Sequence, residues 1–209
     1  MTAHDAQQRP MRRDAVRNHQ LVIAAAREVL REYGTDASME LIASRAGVGI
    51  GTLYRRFPNK EALVDEIARQ MLVELAGDAR RALTHADGTG LEVFVHAMGH
   101  WISEHRGYAS RLVGRADADC MAHLRSLIGE LIAQAQQHGR LAPDVALGDI
   151  MALAWGMRGV IETTGPVAPD AWRRFADIYL AGLRVPGAAG PHPSLTAEQL
   201  ARVSGKKAA

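Results

Sequence analysis

The chain has one cysteine, Cys120, so no intrachain disulfide can form, and a reducing cytoplasm is the expected location. Long apolar runs are missing. Stretches such as Leu21 to Ala26 span only a few residues, too few to cross a membrane. The opening MTAHDAQQRPMRR has no apolar h-region and is not expected to act as a secretory signal. Strand signals are nearly absent. No period-two alternation is sustained, and no Asn-Gly or Asp-Gly turn joins two β-branched segments. No internal repeat is found. Catalytic signatures are missing too. There is no Gly-x-x-x-x-Gly-Lys-Ser/Thr loop, no His-Glu-x-x-His, no paired Cys-x-x-Cys, and Cys120 has no nucleophile motif around it.

What remains is an ordinary globular composition over 209 residues, with 47% hydrophobic and 23% charged side chains. That length suits one domain, or a small one plus a medium one, and can bury a core without staples. The net charge of +2 conceals a segregation: residues 1–60 carry +4, residues 61–183 carry −5, and residues 184–209 carry +3. A basic N-terminal piece on an acidic body suggests that only the first part meets a polyanion.

Helical periodicity runs throughout, so the expected fold is all-α. Residues 1–13 are expected to be a disordered basic arm. A first helix follows from about Asp14 to Tyr33, with Val22, Ala25, Ala26, Val29, Leu30 and Tyr33 on one face, and Gly34 stops it. Ser38 is a good N-cap for a short helix, Met39 to Ala46. Gly47-Val48-Gly49 makes a turn, and a third helix covers Ile50 to Phe57 before Pro58 ends it. Asn59 caps a longer helix, Lys60 to about Leu83. Beyond lie expected helices at 91–105, 107–114, 120–138, 144–163 and 170–183, then a flexible tail over 186–209. The implied organisation is an N-terminal unit over 14–60 and a helical bundle over 61–185.

Two short helices joined by a glycine turn within a basic segment read as a helix-turn-helix. The second helix would present Ile50, Gly51, Thr52, Tyr54, Arg55 and Arg56 outward, with Leu53 and Phe57 inward. Gly49 and Gly51 would let the backbone come close to DNA, and Ser38 and Lys60 sit at helix starts where phosphates can dock. The same geometry also serves as a packing motif with no DNA nearby.

The segment from Ala24 to Leu63 resembles the DNA-binding region of the tetracycline-repressor (TetR) family. The resemblance rests on Ile42-Ala43-x-x-Ala46-Gly47-Val48, Gly51-Thr52-Leu53-Tyr54-x-x-Phe57 and Asn59-Lys60-x-x-Leu63. It implies an N-terminal DNA-binding domain and a C-terminal helical domain for ligand binding and dimerisation. It further implies contacts from Thr52 and Tyr54 to the DNA backbone or base edges, and from Lys60 to a phosphate. Arg55 and Arg56 could do either, Arg being the commonest reader of guanine. The chain departs from the family pattern at Gly49 and Ile50, where Ser and Lys are frequent, and at Arg55-Arg56, where Tyr or His often precedes the Phe. These departures bear on which operator is read.

In the family the last two long helices form a four-helix dimer interface. Here that role would fall to Ala152, Gly156 and Gly159, whose small side chains allow close approach, and to Trp172, Phe175, Tyr179 and Leu183. The family also encloses an inducer in the same domain. Met98, Trp101, Tyr108, Met121, Leu127, Met151, Trp155 and Arg158 are the candidate lining, although a Met/Trp stripe at helical spacing also describes a core.

Rival signals are weaker. Gly47-Val-Gly-Ile-Gly51 follows a helix rather than a strand, so a nucleotide cradle is not expected. His96, His100 and Glu104, with His105 adjacent, and a second group of Asp117, Asp119, Cys120 and His123 could hold zinc or nickel. Polar residues on a bundle face explain both groups more simply, and no metal or cofactor is expected. The expected function is a homodimeric, cytoplasmic transcriptional regulator, a repressor released from a palindromic operator by a small molecule. The alternatives are a helical small-molecule carrier or an enzyme with no DNA role.

Overall fold

The computed structural model describes residues 3–106, 108, 112, 115, 118–187 and 192–205. Among these residues every regular element is helical and no strand occurs. The chain divides into two compact units, residues 1–67 and 68–209.

In the first unit, α1 spans Ala3–Tyr33 and buries Val22, Ala25, Ala26, Val29 and Leu30. It begins at Ala3 rather than at Asp14, through a stretch rich in the good helix formers Ala, Gln and Arg. A 3-10 turn, Gly34–Asp36, leads to α2, Met39–Ala46. Ser38 caps α2, its hydroxyl accepting from Leu41 N at 3.2 Å. Gly47 closes α2 at φ 65° and ψ 29°, a left-handed conformation that glycine adopts without steric cost. This redirects the chain into α3, Ile50–Arg56. α3 stops where Phe57 turns extended ahead of Pro58, and α4, Lys60–Ala82, starts at once. Asn59 caps α4, its side-chain carbonyl accepting from Ala62 N at 2.8 Å.

In the second unit, α5 (Gly90–Glu104) packs against α6 (Ala118–Gln137), α7 (Leu147–Thr164) and α8 (Ala171–Gly182), and α7 packs against α8. Phe94, Leu131, Ile150, Leu153, Met157 and Trp172 form its core. Gly99 of α5 makes room for the Trp172 ring: a Cβ built there would fall on the indole and lie 2.8 Å from Met157 Sδ. The α6–α7 loop is pinned by Gln136, whose amide donates to Ala142 O and Val145 O, both at 3.0 Å. α7 starts at Leu147, later than expected, because the Asp149 carboxylate accepts from Ala146 N at 2.8 Å and sets the helix start there. The helix expected over 107–114 lies largely outside the described residues, of which Tyr108 and Leu112 are fully buried.

The tail expected to be flexible over 186–209 contains α9, Ala197–Gly205. A reciprocal box starts it. Thr196 N donates to Gln199 Oε1 at 2.8 Å, and Gln199 N donates to Thr196 Oγ1 at 3.2 Å. Leu200 is 1% exposed, and Arg125 donates to its carbonyl at 3.2 Å. The Thr-x-x-Gln spacing that marks this start is legible in the sequence.

Candidate nucleic-acid interface

α3 has only seven residues, too few to be stable alone, so its position depends on tertiary anchors. Leu53 is fully buried and Phe57 nearly so. Burying one such side chain stabilises by about 1.5–3 kcal/mol, enough to hold a two-turn helix against its neighbours. The opposite face stays in water. Ile50, Gly51, Tyr54, Arg55 and Arg56 are exposed, Thr52 is half-buried, and Gly49 is exposed as the residue capping the helix. A Cβ added at Gly49 or Gly51 would meet nothing within 4 Å. The expected outward residues of α3 are therefore solvent-facing apart from half-buried Thr52, while Ser38 at the start of α2 is exposed and Lys60 at the start of α4 half-buried.

The two arginines differ. Arg55 is exposed, whereas Arg56 is steered by α1, its Nε donating to His19 Nδ1 at 3.3 Å. The other ring nitrogen, Nε2, faces Glu66 Oε1 at 3.3 Å. The His19 ring stacks on Phe57, with centroids 5.7 Å apart. Sequence spacing held no signal for this chain of contacts, since His19 and Arg56 are 37 residues apart.

A second link ties α1 to α2. Arg45 donates to both oxygens of Glu32, at 3.0 and 2.9 Å, with Glu28 at 3.7 Å. The Arg45 hydrogen bond holds the Glu32 carboxyl below its usual pKa, and Glu32 raises that of Arg45. Fork-to-carboxylate geometry fixes orientation as well as distance.

In the second unit the candidate ligand residues differ in exposure. Met98, Tyr108, Met121 and Leu127 are buried, while Trp101, Met151, Trp155 and Arg158 are partly exposed. Trp101 stacks on His105 at 4.2 Å, and His105 Nδ1 donates to Trp101 O at 2.8 Å. Arg158 approaches Glu162 at 3.9 Å. A shallow surface depression is bordered by Leu91, Glu92, Arg140, Leu141 and Arg184, none of them expected as lining.

The dimer candidates separate into two groups. Trp172 is 1% exposed and lies in the core of its own unit, because Gly99 opens a slot for it there. Phe175 covers Gly156, and Tyr179 donates to Asp149 O at 3.3 Å, so both serve the α7–α8 contact within the chain. Ala152 and Leu183 are half-buried. Gly159 is exposed, with nothing near its missing Cβ, and Ile178 on α8 is 60% exposed.

The histidine groups are engaged in pairs. His96 faces Asp177 at 3.0 Å and His100 faces Glu104 at 3.3 Å. His123 contacts Arg80. Asp119 is exposed and Cys120 half-buried, while Asp117 lies outside the described residues. Among the described residues no three His, Cys, Asp or Glu converge on a metal position. No described helix is long and apolar enough to cross a membrane.

Comparison with known proteins agrees with this layout. Residues 22–67 match the family model described as bacterial regulatory proteins, tetR family. Residues 86–185 match the SbtR-like transcriptional regulator C-terminal domain. A solved TetR transcription regulatory protein from Mycobacterium vanbaalenii is 31% identical, with a TM-score of 0.63, over 84% of this chain and 100% of that one. A TetR transcriptional regulator from Streptomyces coelicolor is 29% identical, with a TM-score of 0.61, over 79% and 97%. An HTH-type transcriptional regulator from Staphylococcus aureus is 40% identical over 75 residues, 32% of this chain and 39% of that protein. The chain thus spans well under half the length of that curated relative. The M. vanbaalenii match runs the whole length of its protein, and the chain belongs to the TetR family of bacterial regulatory proteins.

Proposed function

We propose that the chain is a homodimeric transcriptional repressor that binds a palindromic duplex through α3 and leaves it when a small molecule occupies the second unit. One observation carries the DNA part. A seven-residue helix, anchored by buried Leu53 and Phe57, exposes Tyr54, Arg55 and Arg56 after two bare glycines, Gly49 and Gly51. Such a helix fits a major groove, where an Arg can pair with guanine. Two copies spaced by one turn of DNA would read a palindrome. Exposed Ile178 and uncovered Gly159 support pairing through α7 and α8. On the ligand side, Trp101 Nε1 is buried with no hydrogen-bond partner among the described residues, a donor that a ligand acceptor could satisfy. Structures of the same fold have been solved with triclosan and with resorcinol bound.

The test is selection of binding sequences from random duplexes, followed by a salt titration. Affinity should fall steeply with salt, because Lys and Arg displace condensed counterions. Tyr54→Ala and Lys60→Ala should weaken all sequences alike, while Arg55→Ala should relax one base position per half-site by about 1–3 kcal/mol. Failure to enrich any sequence would remove the DNA-binding reading. Ile178→Asp should give monomers in sedimentation, and an unchanged dimer would move the interface off α8.

A further inference from the structure

The first side chain of α3 is an unusual one for its place. Ile50 is a β-branched aliphatic residue at a helix start, 38% exposed, on a helix whose last turn carries Arg55 and Arg56. Helix propensity does not favour Ile there, since its χ1 freedom is restricted in a helix. Burial explains it only in part, because Ile50 is 38% exposed while Leu53 and Phe57 supply the fully inward anchors. The residues on both sides are glycines whose missing Cβ positions open onto empty space. Ile50 is thus a partly exposed aliphatic side chain flanked by bare backbone, one helical turn before the exposed Tyr54.

That shape limits what can cover it. One aliphatic side chain is too small a surface to dock an apolar protein face. Ile cannot hydrogen-bond, so it contributes nothing to holding a phosphate. In the major groove, base pairs offer one apolar group, the C5-methyl of thymine. Bare backbone at Gly49 and Gly51 lets the helix start approach a base edge closely enough for methyl-to-methyl contact.

We infer that Ile50 reads a thymine methyl, one in each half-site, making it a specificity-determining residue. The inference rests on the DNA-binding reading above and deepens it. Its chemistry also separates it from the arginines: the contact carries no charge, so it contributes to sequence preference without contributing to salt dependence.

The experiment uses the full-length protein and the operator recovered by selection. Each thymine is replaced in turn by deoxyuridine, which deletes the methyl and keeps Watson–Crick pairing. One position per half-site should lose about four-fold in affinity, the equivalent of one buried methyl group. Ile50→Ala should abolish that difference and leave the slope of affinity against salt unchanged. Lys60→Ala, in contrast, should lower the slope by about one. The inference is overturned if no thymine methyl matters to the wild type, a result that needs no variant to fold. It is also overturned if the methyl dependence persists in Ile50→Ala, checked as folded by circular dichroism, or in Ile50→Ser, which leaves no methyl group at the position. A selection that enriches nothing overturns the DNA-binding reading itself and this inference with it, an outcome distinct from both.

Discussion

Gly51→Ala separates folding from function. Gly51 is the second residue of α3, and an added Cβ meets no protein atom within 4 Å. Glycine in a helix costs roughly 0.5–1 kcal/mol relative to alanine, mainly through backbone entropy in the unfolded chain. So far as the chain itself is concerned, the substitution should stabilise the first unit, toward the lower end of that range because the site is in the first turn. Bound to DNA, the new methyl would stand where the backbone meets the groove. Forcing one extra carbon into a close-packed contact costs about 1–3 kcal/mol, or roughly 5- to 150-fold in affinity.

The assay must resolve the first unit. All three tryptophans, Trp101, Trp155 and Trp172, lie in the second unit, so indole fluorescence is blind to α3. Amide hydrogen exchange at α2 and α3 reports the local free energy directly. The expected pair of results is slower exchange with weaker operator binding. If exchange slows and binding is unchanged, the start of α3 does not lie against DNA, and the groove-facing assignment of Gly49, Ile50 and Gly51 fails together. If exchange accelerates, the open space at Gly51 is wrong.

Other perturbations probe the anchors. Gly99→Ala should destabilise the second unit by about 1–3 kcal/mol, because the methyl collides with the Trp172 ring; an unchanged urea midpoint by Trp fluorescence would contradict the slot. His19→Phe keeps a ring against Phe57 but removes the acceptor for Arg56, so operator affinity should fall with little change in folding. His19→Asn, whose amide oxygen stands near the Nδ1 position, should restore the affinity, and failure of that rescue would make His19 merely structural. The Glu32 carboxyl titrates below its ordinary value of 4.5 because of Arg45, so the link stabilises above that pH and is lost as pH falls through the lowered value. Arg45→Met should therefore differ from wild type in stability at neutral pH and converge with it in acid, as read by chemical denaturation across pH.

The helix-turn-helix was legible because its signals are local. Ser38 and Asn59 cap within three residues of their acceptors' partners, Gly47 turns within its own φ, and Pro58 stops α3 from two residues away. What was not legible depends on contacts across long sequence separations. Trp172 looks like an interface aromatic until Gly99, on a different helix, is seen to make room for it. Arg56 looks as free as Arg55 until His19 is brought beside it from α1. The tail helix belongs to a different category. Its Thr196–Gln199 box was present in the sequence, but a Gly/Pro-rich approach and a single apolar anchor, Leu200, outweighed it.

The two expected sites differ in how far a sequence can reveal them, and the reason is physical. A surface that reads DNA must keep its recognition groups in water, and the proposed one carries exposed Tyr54, exposed cations and glycines with nothing beside their missing Cβ positions. Each of these breaks an expectation for a helix that merely packs, and the breaks coincide on seven residues. A pocket for an apolar ligand has the opposite character. Its lining obeys the same periodicity as core, and Met98, Met121 and Leu127 are in fact buried as core residues are. Only a polar group that the core leaves unsatisfied distinguishes the two, because leaving a buried donor unpaired costs about 1–3 kcal/mol. Trp101 Nε1 is such a group. Within the second unit, Trp101 is therefore better supported than Trp155 and Arg158 as the place where a ligand enters. Trp155 carries no such unpaired donor among the described residues, and Arg158 already has Glu162 within reach.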